Sequence, residues 1–185
     1  DADDYVGQLW RIDLTGHGRP RRLTRGFRDS APRFSPDGRL LAFLRSVPEG
    51  RPQLYVVPSG GGEPVQVTDQ KLGVAEFCWS PDSARLAFVA RVPEDGRYGT
   101  VEGVPAGHED PRRITTHQFQ LNGVGYTADQ RRHLFVVDAP DPFGEPAVRP
   151  VGRAARRPGG APSPSVPEPA LVPAARRLTS GDFDV

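Results

Sequence analysis

Ala31-Pro32-Arg33-Phe34-Ser35-Pro36-Asp37-Gly38-Arg39-Leu40-Leu41-Ala42-Phe43-Leu44-Arg45 reads as two strands folded about a tight turn. Pro36 pre-sets φ for the first central turn position, Asp37 suits the second, and Gly38 accepts the backbone that returns the chain. The same pattern recurs 45 positions later as Glu76-Phe77-Cys78-Trp79, the turn Ser80-Pro81-Asp82-Ser83, and Arg85-Leu86-Ala87-Phe88-Val89-Ala90-Arg91. Gln8-Leu9-Trp10 and Gln53-Leu54-Tyr55 are separated by the same 45 residues. Two landmarks with one period, filled with strand and turn signals, are the signature of β-propeller blades, whose repeats run about 40–45 residues.

Outward from that turn, Gln53-Leu54-Tyr55-Val56-Val57, a turn at 59–64 and Val65-Gln66-Val67-Thr68 complete an antiparallel blade over 31–68. A partial blade precedes it at 1–24, as Gln8 to Leu14 and Arg21-Arg22-Leu23-Thr24. A further blade is expected over 74–115, its third strand poorly marked because Gly99, Gly103 and Pro105 interrupt Tyr98 to Val104, and its outer strand at Ile114-Thr115. An irregular blade is expected over 122–179, entered through Val124-Gly125-Tyr126-Thr127-Ala128-Asp129. There His133-Leu134-Phe135-Val136-Val137-Asp138 matches the third-strand pattern of Gln53 to Val57, and Leu178-Thr179 the outer strand. Between those two strands, residues 140–174 carry ten prolines and read as a disordered insertion. Residues 180–185 read as the approach to another inner strand. The fold class expected is therefore all-β: a partial β-propeller of about three to four blades of four-stranded antiparallel sheet.

Composition narrows the partners. With 24 basic and 23 acidic residues, the net charge of +1 supplies no general field for nucleic acid or a membrane surface. No apolar stretch approaches the roughly 18 residues that span a bilayer. The one cysteine, Cys78, permits no intramolecular disulfide, which fits a cytoplasmic home. The chain contains no methionine and opens on Asp1-Ala2-Asp3-Asp4 without a targeting segment, as expected of a piece of a longer protein.

No catalytic, cofactor-binding or metal-binding residue is assigned. A Gly-x-Ser-x-Gly elbow is lacking. Ser35 and Ser80 precede Pro-Asp in turns where each oxygen can cap the backbone. His17, His108, His117 and His133 show no shared spacing and no metal-ligand interval. Asp37, Asp82 and Asp129 recur at about one blade position, but a turn aspartate bonds locally rather than joining a carboxylate ring. Arginine pairs at 21/22, 112/113, 131/132, 156/157 and 176/177 lack interleaved stacking aromatics, and two of the pairs mark outer strands, where charge discourages edge pairing. Cys78 is expected to be a small buried residue of an inner strand.

The units Phe34 to Phe43 and Trp79 to Phe88 resemble the WD40-like repeat of two groups: the propellers of prolyl oligopeptidase-family serine peptidases and that of the periplasmic TolB protein. The stretch from Arg112-Arg113-Ile114-Thr115 through Leu121-Asn122-Gly123-Val124-Gly125-Tyr126 to His133–Asp138 is similar to the irregular blade of acylaminoacyl- and dipeptidyl-peptidase-like members. That resemblance implies a non-catalytic propeller segment that gates peptide access to an α/β-hydrolase domain of the same parent chain. That domain would carry the catalytic Ser, Asp and His. The TolB resemblance implies instead a periplasmic protein-interaction scaffold. Since no catalytic residue matches, the purified chain should hydrolyse no peptide. Covalent labelling of any of its serines by a fluorophosphonate probe, read by mass spectrometry, would overturn this.

Overall fold

The computed structural model describes residues 5–144 and 172–185. The strands fall into blades. β1 (Trp10–Arg11) and β2 (Arg21–Arg22) form one antiparallel pair. β3 (Arg28–Phe34), β4 (Leu40–Ser46), β5 (Gln53–Pro58) and β6 (Val65–Gln66) form a four-stranded sheet in that order. β7 (Val74–Trp79), β8 (Arg85–Pro93), β11 (Gln130–Asp138) and β12 (Arg176–Arg177) form another four-stranded sheet. A small hairpin of β9 (Gln120–Leu121) and β10 (Gly125–Tyr126) lies outside it. The fold is the expected all-β partial propeller: among the described residues, two four-stranded blades preceded by one two-stranded pair.

Strand β4 is apolar from Leu40 to Leu44, a pattern that suits a strand covered on both faces. Leu40, Ala42 and Leu44 pack with Leu54 and Val56 against Leu86, Phe88, Ala90, Phe135 and Val137 of the next blade. Leu41, Phe43 and Val57 face the opposite way, toward Leu9 and Leu23. Phe88 and Phe135, cross-strand partners, stack at 5.2 Å between centroids. In β8 only Leu86, Phe88 and Ala90 are buried, while Ala87 and Val89 on the other face are half-buried.

The quoted turn closes as its residues require. The Gly38 N–H donates to the Ser35 carbonyl (2.8 Å), with Gly38 at φ 73°. Ser83 occupies the matching position in the second turn at φ 60°, a left-handed conformation a non-glycine residue adopts at some cost. Its hydroxyl then accepts the Asp37 N–H from the first turn at 3.1 Å, which ties the two blades together. The Trp79 indole adds a second tie by donating to the Arg33 carbonyl at 3.1 Å.

Each blade closes its short outer strand with a threonine. The N–H of Leu9, Leu54 and Leu134 donates to the hydroxyl of Thr24 (3.0 Å), Thr68 (2.9 Å) and Thr179 (3.0 Å) respectively. The neighbouring Leu23, Val67 and Leu178 return a backbone bond to the carbonyl of the same leucine. A second threefold bond sets blade against blade. Asp29, Val74 and Val185 donate their N–H to the carbonyls of Gly7, Pro52 and Arg132, each two residues before the leucine. In the last of these the Val185 N–H reaches the Arg132 carbonyl at 3.3 Å.

This register corrects the expected division into blades 74–115 and 122–179. Strands β8 and β11 pair continuously from Arg85↔Asp138 to Pro93↔Gln130, so β11 is the missing third strand of the blade that begins at Val74. The match of His133–Val137 to Gln53–Val57 is therefore an equivalence within one blade. Residues 94–129 are an excursion between its second and third strands. Ile114 and Thr115 are exposed and form no outer strand; that role belongs to β12 with Leu178 and Thr179. The proline-rich stretch does enter between third and fourth strands, and the disorder expected of 140–174 falls largely on 145–171, outside the described residues. Cys78 is exposed rather than buried, because inner strands present one row of side chains away from the packed faces.

Thr68 is 1% exposed, and its hydroxyl also donates to Gln53 Oε1. Thr68→Val should leave the buried Leu54 N–H unpaired and lower unfolding free energy by about 1–3 kcal/mol, with Thr68→Ser retaining most of the stability. Urea titration checks this, and a Thr68→Val variant as stable as the wild type would show that the hydroxyl bond contributes nothing.

Candidate functional site

The excursion 94–129 carries a connected polar cluster, and it starts from one buried carboxylate. Asp129, 6% exposed, ends the excursion where β11 begins. Arg112 Nε donates to its Oδ2 at 2.6 Å, and the Tyr98 hydroxyl donates to its Oδ1 at 2.8 Å. Gln130, 3% exposed, donates from Nε2 to the Tyr98 oxygen at 2.9 Å and to the carbonyls of Val124 (3.2 Å) and Tyr126. Arg112 also reaches Glu109 Oε2 at 3.4 Å, while Glu109 Oε1 accepts the Gly99 N–H at 2.8 Å. The guanidinium lies over the rings of Tyr126 (4.4 Å) and Tyr98 (5.4 Å), and Tyr126 stacks on Phe119 at 6.3 Å.

These contacts explain how an irregular segment holds a shape. Tyr98 sits at φ 55°, and Gly99, Gly103, Gly123 and Gly125 also take positive φ, so the segment turns repeatedly and cannot extend a strand. Its start, middle and end, at Tyr98, Arg112 and Asp129, are joined by side chains instead of a ladder. Burial, followed by the bond to Asp129, pushes the Tyr98 phenol up to about 12, so at neutral pH it is a fixed donor.

Beside the cluster is a cavity of about 290 Å³ whose lining includes Arg112, Arg113, Thr115, Phe119, Tyr126 and Asp129. It lies at the lower end of the roughly 300–1,000 Å³ usual for ligand pockets. The arrangement offers an aromatic wall, guanidinium groups and hydroxyls, which suits binding rather than nucleophilic chemistry. Among the described residues no cluster of three His, Cys, Asp or Glu side chains is gathered to hold a metal ion.

The residues weighed from sequence fall elsewhere. Ser35 Oγ donates to Asp37 Oδ1 (2.6 Å) and accepts the Leu40 N–H (3.0 Å), and Ser80 repeats this with Asp82 and Arg85. The serine bond and the following N–H hold both aspartates below the usual carboxylate range. Asp129 is no counterpart of theirs: it is buried against arginine, outside any such turn. His17, His108 and His117 are exposed and scattered. His133 is buried, takes the place of Gln53, and contacts Thr179 Oγ1 through Nδ1 at 3.2 Å. Burial, with Arg177 nearby, lowers its pKa against an opposing pull from Asp184. The Arg21/Arg22 and Arg176/Arg177 pairs lie on outer strands; Arg112 and Arg113 line the cavity; 156/157 falls outside the described residues. Tyr98, Glu109 and Gln130 escaped sequence reading. The signal available was that one expected blade had a poorly marked third strand and the next passed from Val124–Asp129 to its third strand with one strand lost or irregular.

No family model matches the chain. The uncharacterized peptidase YuxL of Bacillus subtilis is 27% identical over 137 residues, covering 74% of this chain and 21% of YuxL. The uncharacterized protein Atu1656 of Agrobacterium fabrum is 33% identical over 85 residues, covering 44% of this chain and 29% of that protein. The chain thus spans less than a third of the length of either relative. Among solved structures, acylaminoacyl peptidase of Pyrococcus horikoshii is similar at a TM-score of 0.48 and 20% identity, over 66% of this chain and 17% of that one. A structure described as TolB from Agrobacterium tumefaciens is similar at a TM-score of 0.44 and 22% identity, over 71% and 37%.

A phenol that stays protonated above its unfolded pKa of about 10 contributes stability that is complete below pH 10 and lost as pH rises toward 12. Ultraviolet titration should show Tyr98 ionising later than an ordinary tyrosine, and Asp129→Asn should bring it down. The same variant should speed tryptic cleavage after Arg112 and Arg113 without changing the β-sheet circular dichroism. Unchanged cleavage would mean that the ion pair does not hold the excursion.

Proposed function

We propose that this chain is the non-catalytic propeller segment of a prolyl oligopeptidase-family serine peptidase, of the acylaminoacyl- or dipeptidyl-peptidase-like kind. One observation carries the reading. A regular blade is interrupted by a structured excursion with its own cavity, in a chain that aligns over 137 residues with an uncharacterized peptidase. Regular blades serve as a frame, and function resides in what departs from them. The excursion would form part of the wall through which short peptides reach an α/β-hydrolase domain elsewhere in the parent protein. The chemistry there would be acyl transfer to serine, and this chain's part in it would be admission and contact. A cytoplasmic setting belongs to the same proposal.

The runner-up is a TolB-like propeller that acts as a periplasmic interaction scaffold, a reading favoured by the regular part of the chain, where both Ser-Pro-Asp turns are internally satisfied.

The test uses the parent protein. It should label with a fluorophosphonate at a serine outside residues 1–185 and cleave short acyl-peptides but not a stably folded protein. Replacing residues 95–128 by a short Gly-Ser turn should raise cleavage of longer peptides relative to tripeptides. A parent protein that takes up no label supports the scaffold.

A further inference from the structure

We infer that the cavity beside the excursion is a subsite for one carboxylate carried by a peptide, with Arg113 as the cation that receives it; this rests on the peptide-binding reading above. The argument begins with which charges are already used. Arg112 is held by Asp129 and Glu109, and Arg131 pairs with Asp182 at 2.7 Å. Arg97 donates to the carbonyls of Asp110 and Pro111 (3.4 Å to the latter). Arg113 alone of the lining arginines has no hydrogen bond or ion pair with any described residue, and it is exposed at the cavity rim. Thr115 and Thr116 line the same cavity with exposed side chains.

The surroundings select the ligand. A guanidinium presents a planar fork that fits a carboxylate in two parallel bonds, and hydroxyls can donate to an oxygen left over. The Phe119–Tyr126 stack, backed by Arg112, offers a flat face for the carbon stem behind such a group. Four arginines against three acids line the cavity, Glu94 being the acid without a side-chain partner among the described residues. Glu109 on Arg112 and Asp184 near Arg131 bring the acids around the cavity level with its arginines, so Arg113 is a local cation in a balanced field, which suits a singly charged carboxylate better than a doubly charged phosphate that the neighbouring acids repel. The volume of about 290 Å³ admits a group of one or two residues rather than a folded segment.

An acidic side chain and a chain-terminal carboxylate share this chemistry, and calorimetry on the full 185-residue chain at low salt separates them. Three probes differ only in charge: N-acetyl-Ala-Ala-Glu-Ala-Ala-amide, its Gln analogue as the amide, and that Gln analogue with a free C-terminus. At least one acid should bind about tenfold or more tighter than the neutral amide, as one charge-assisted bond implies, and the tighter acid identifies the source. Arg113→Gln should abolish the preference without changing neutral-peptide affinity, and Arg113→Lys should keep part of it. Equal binding of all three peptides, or a preference that survives Arg113→Gln, overturns the carboxylate site while leaving peptide binding intact. If no peptide binds yet succinate shifts the Thr115 and Thr116 amide resonances in the wild type and not in Arg113→Gln, the anion site stands and the peptide reading fails. Silence toward succinate as well removes both.

Discussion

The bond from a leucine N–H to a threonine hydroxyl is the constraint on which the blades depend. Outer strands in this chain pair over only two residues each, too few for a ladder to hold by itself. The threonine adds an acceptor that the strand backbone lacks and anchors the chain just beyond the outer strand to the adjoining strand, before its first residue at Leu9, near its start at Leu54 and at its middle at Leu134. Because the same leucine stands two residues after the carbonyl that receives the next blade, closing one sheet also positions the following one. Sheet closure and blade-to-blade spacing are thus set at one point of the repeat.

Two buried carboxylates show how the fold tolerates charge. Asp29 is held by Arg45 in a two-bond pair at 2.7 and 3.0 Å, with the guanidinium over Phe43 and Tyr55. Asp129 is held by Arg112, with the guanidinium over Tyr126 and Tyr98. In both, arginine meets the acid with its donors and the aromatics with its face, which offsets desolvation of both ions. The first pair stabilises a regular sheet; the second organises a segment without one. Removing either acid would strand a partly buried cation, the costly case for such pairs.

What could be read from sequence follows from how local each signal is. The Ser-Pro-Asp turn is decided within six residues, so its position, its left-handed fourth residue and the duty of its serine were all legible. The apolar run Leu40–Leu44 likewise declared a strand. Blade boundaries were less legible because strand pairing is non-local. Ile114-Thr115 has the composition of an outer strand, but nothing local says that Arg85–Pro93 waits for a partner until Gln130. Cys78 was misjudged for a related reason: alternation in an inner strand shows that faces differ, not which face is open. The Tyr98–Arg112–Asp129 cluster, spread over 32 residues and without a period, left no pattern for a repeat-based reading to find.

The threonine clasps also measure what added length does to a blade. In the regular unit the bonded leucine and threonine are 14 residues apart, and in the interrupted one 45. The entropy of closing a loop grows only with the logarithm of its length, so the longer connection costs about 1 kcal/mol more. That is about the net worth of one hydrogen bond. A propeller blade closed in this way can therefore accept a long segment at its outermost connection almost without thermodynamic consequence, and natural variation in length is free to accumulate there while the sheets keep their register.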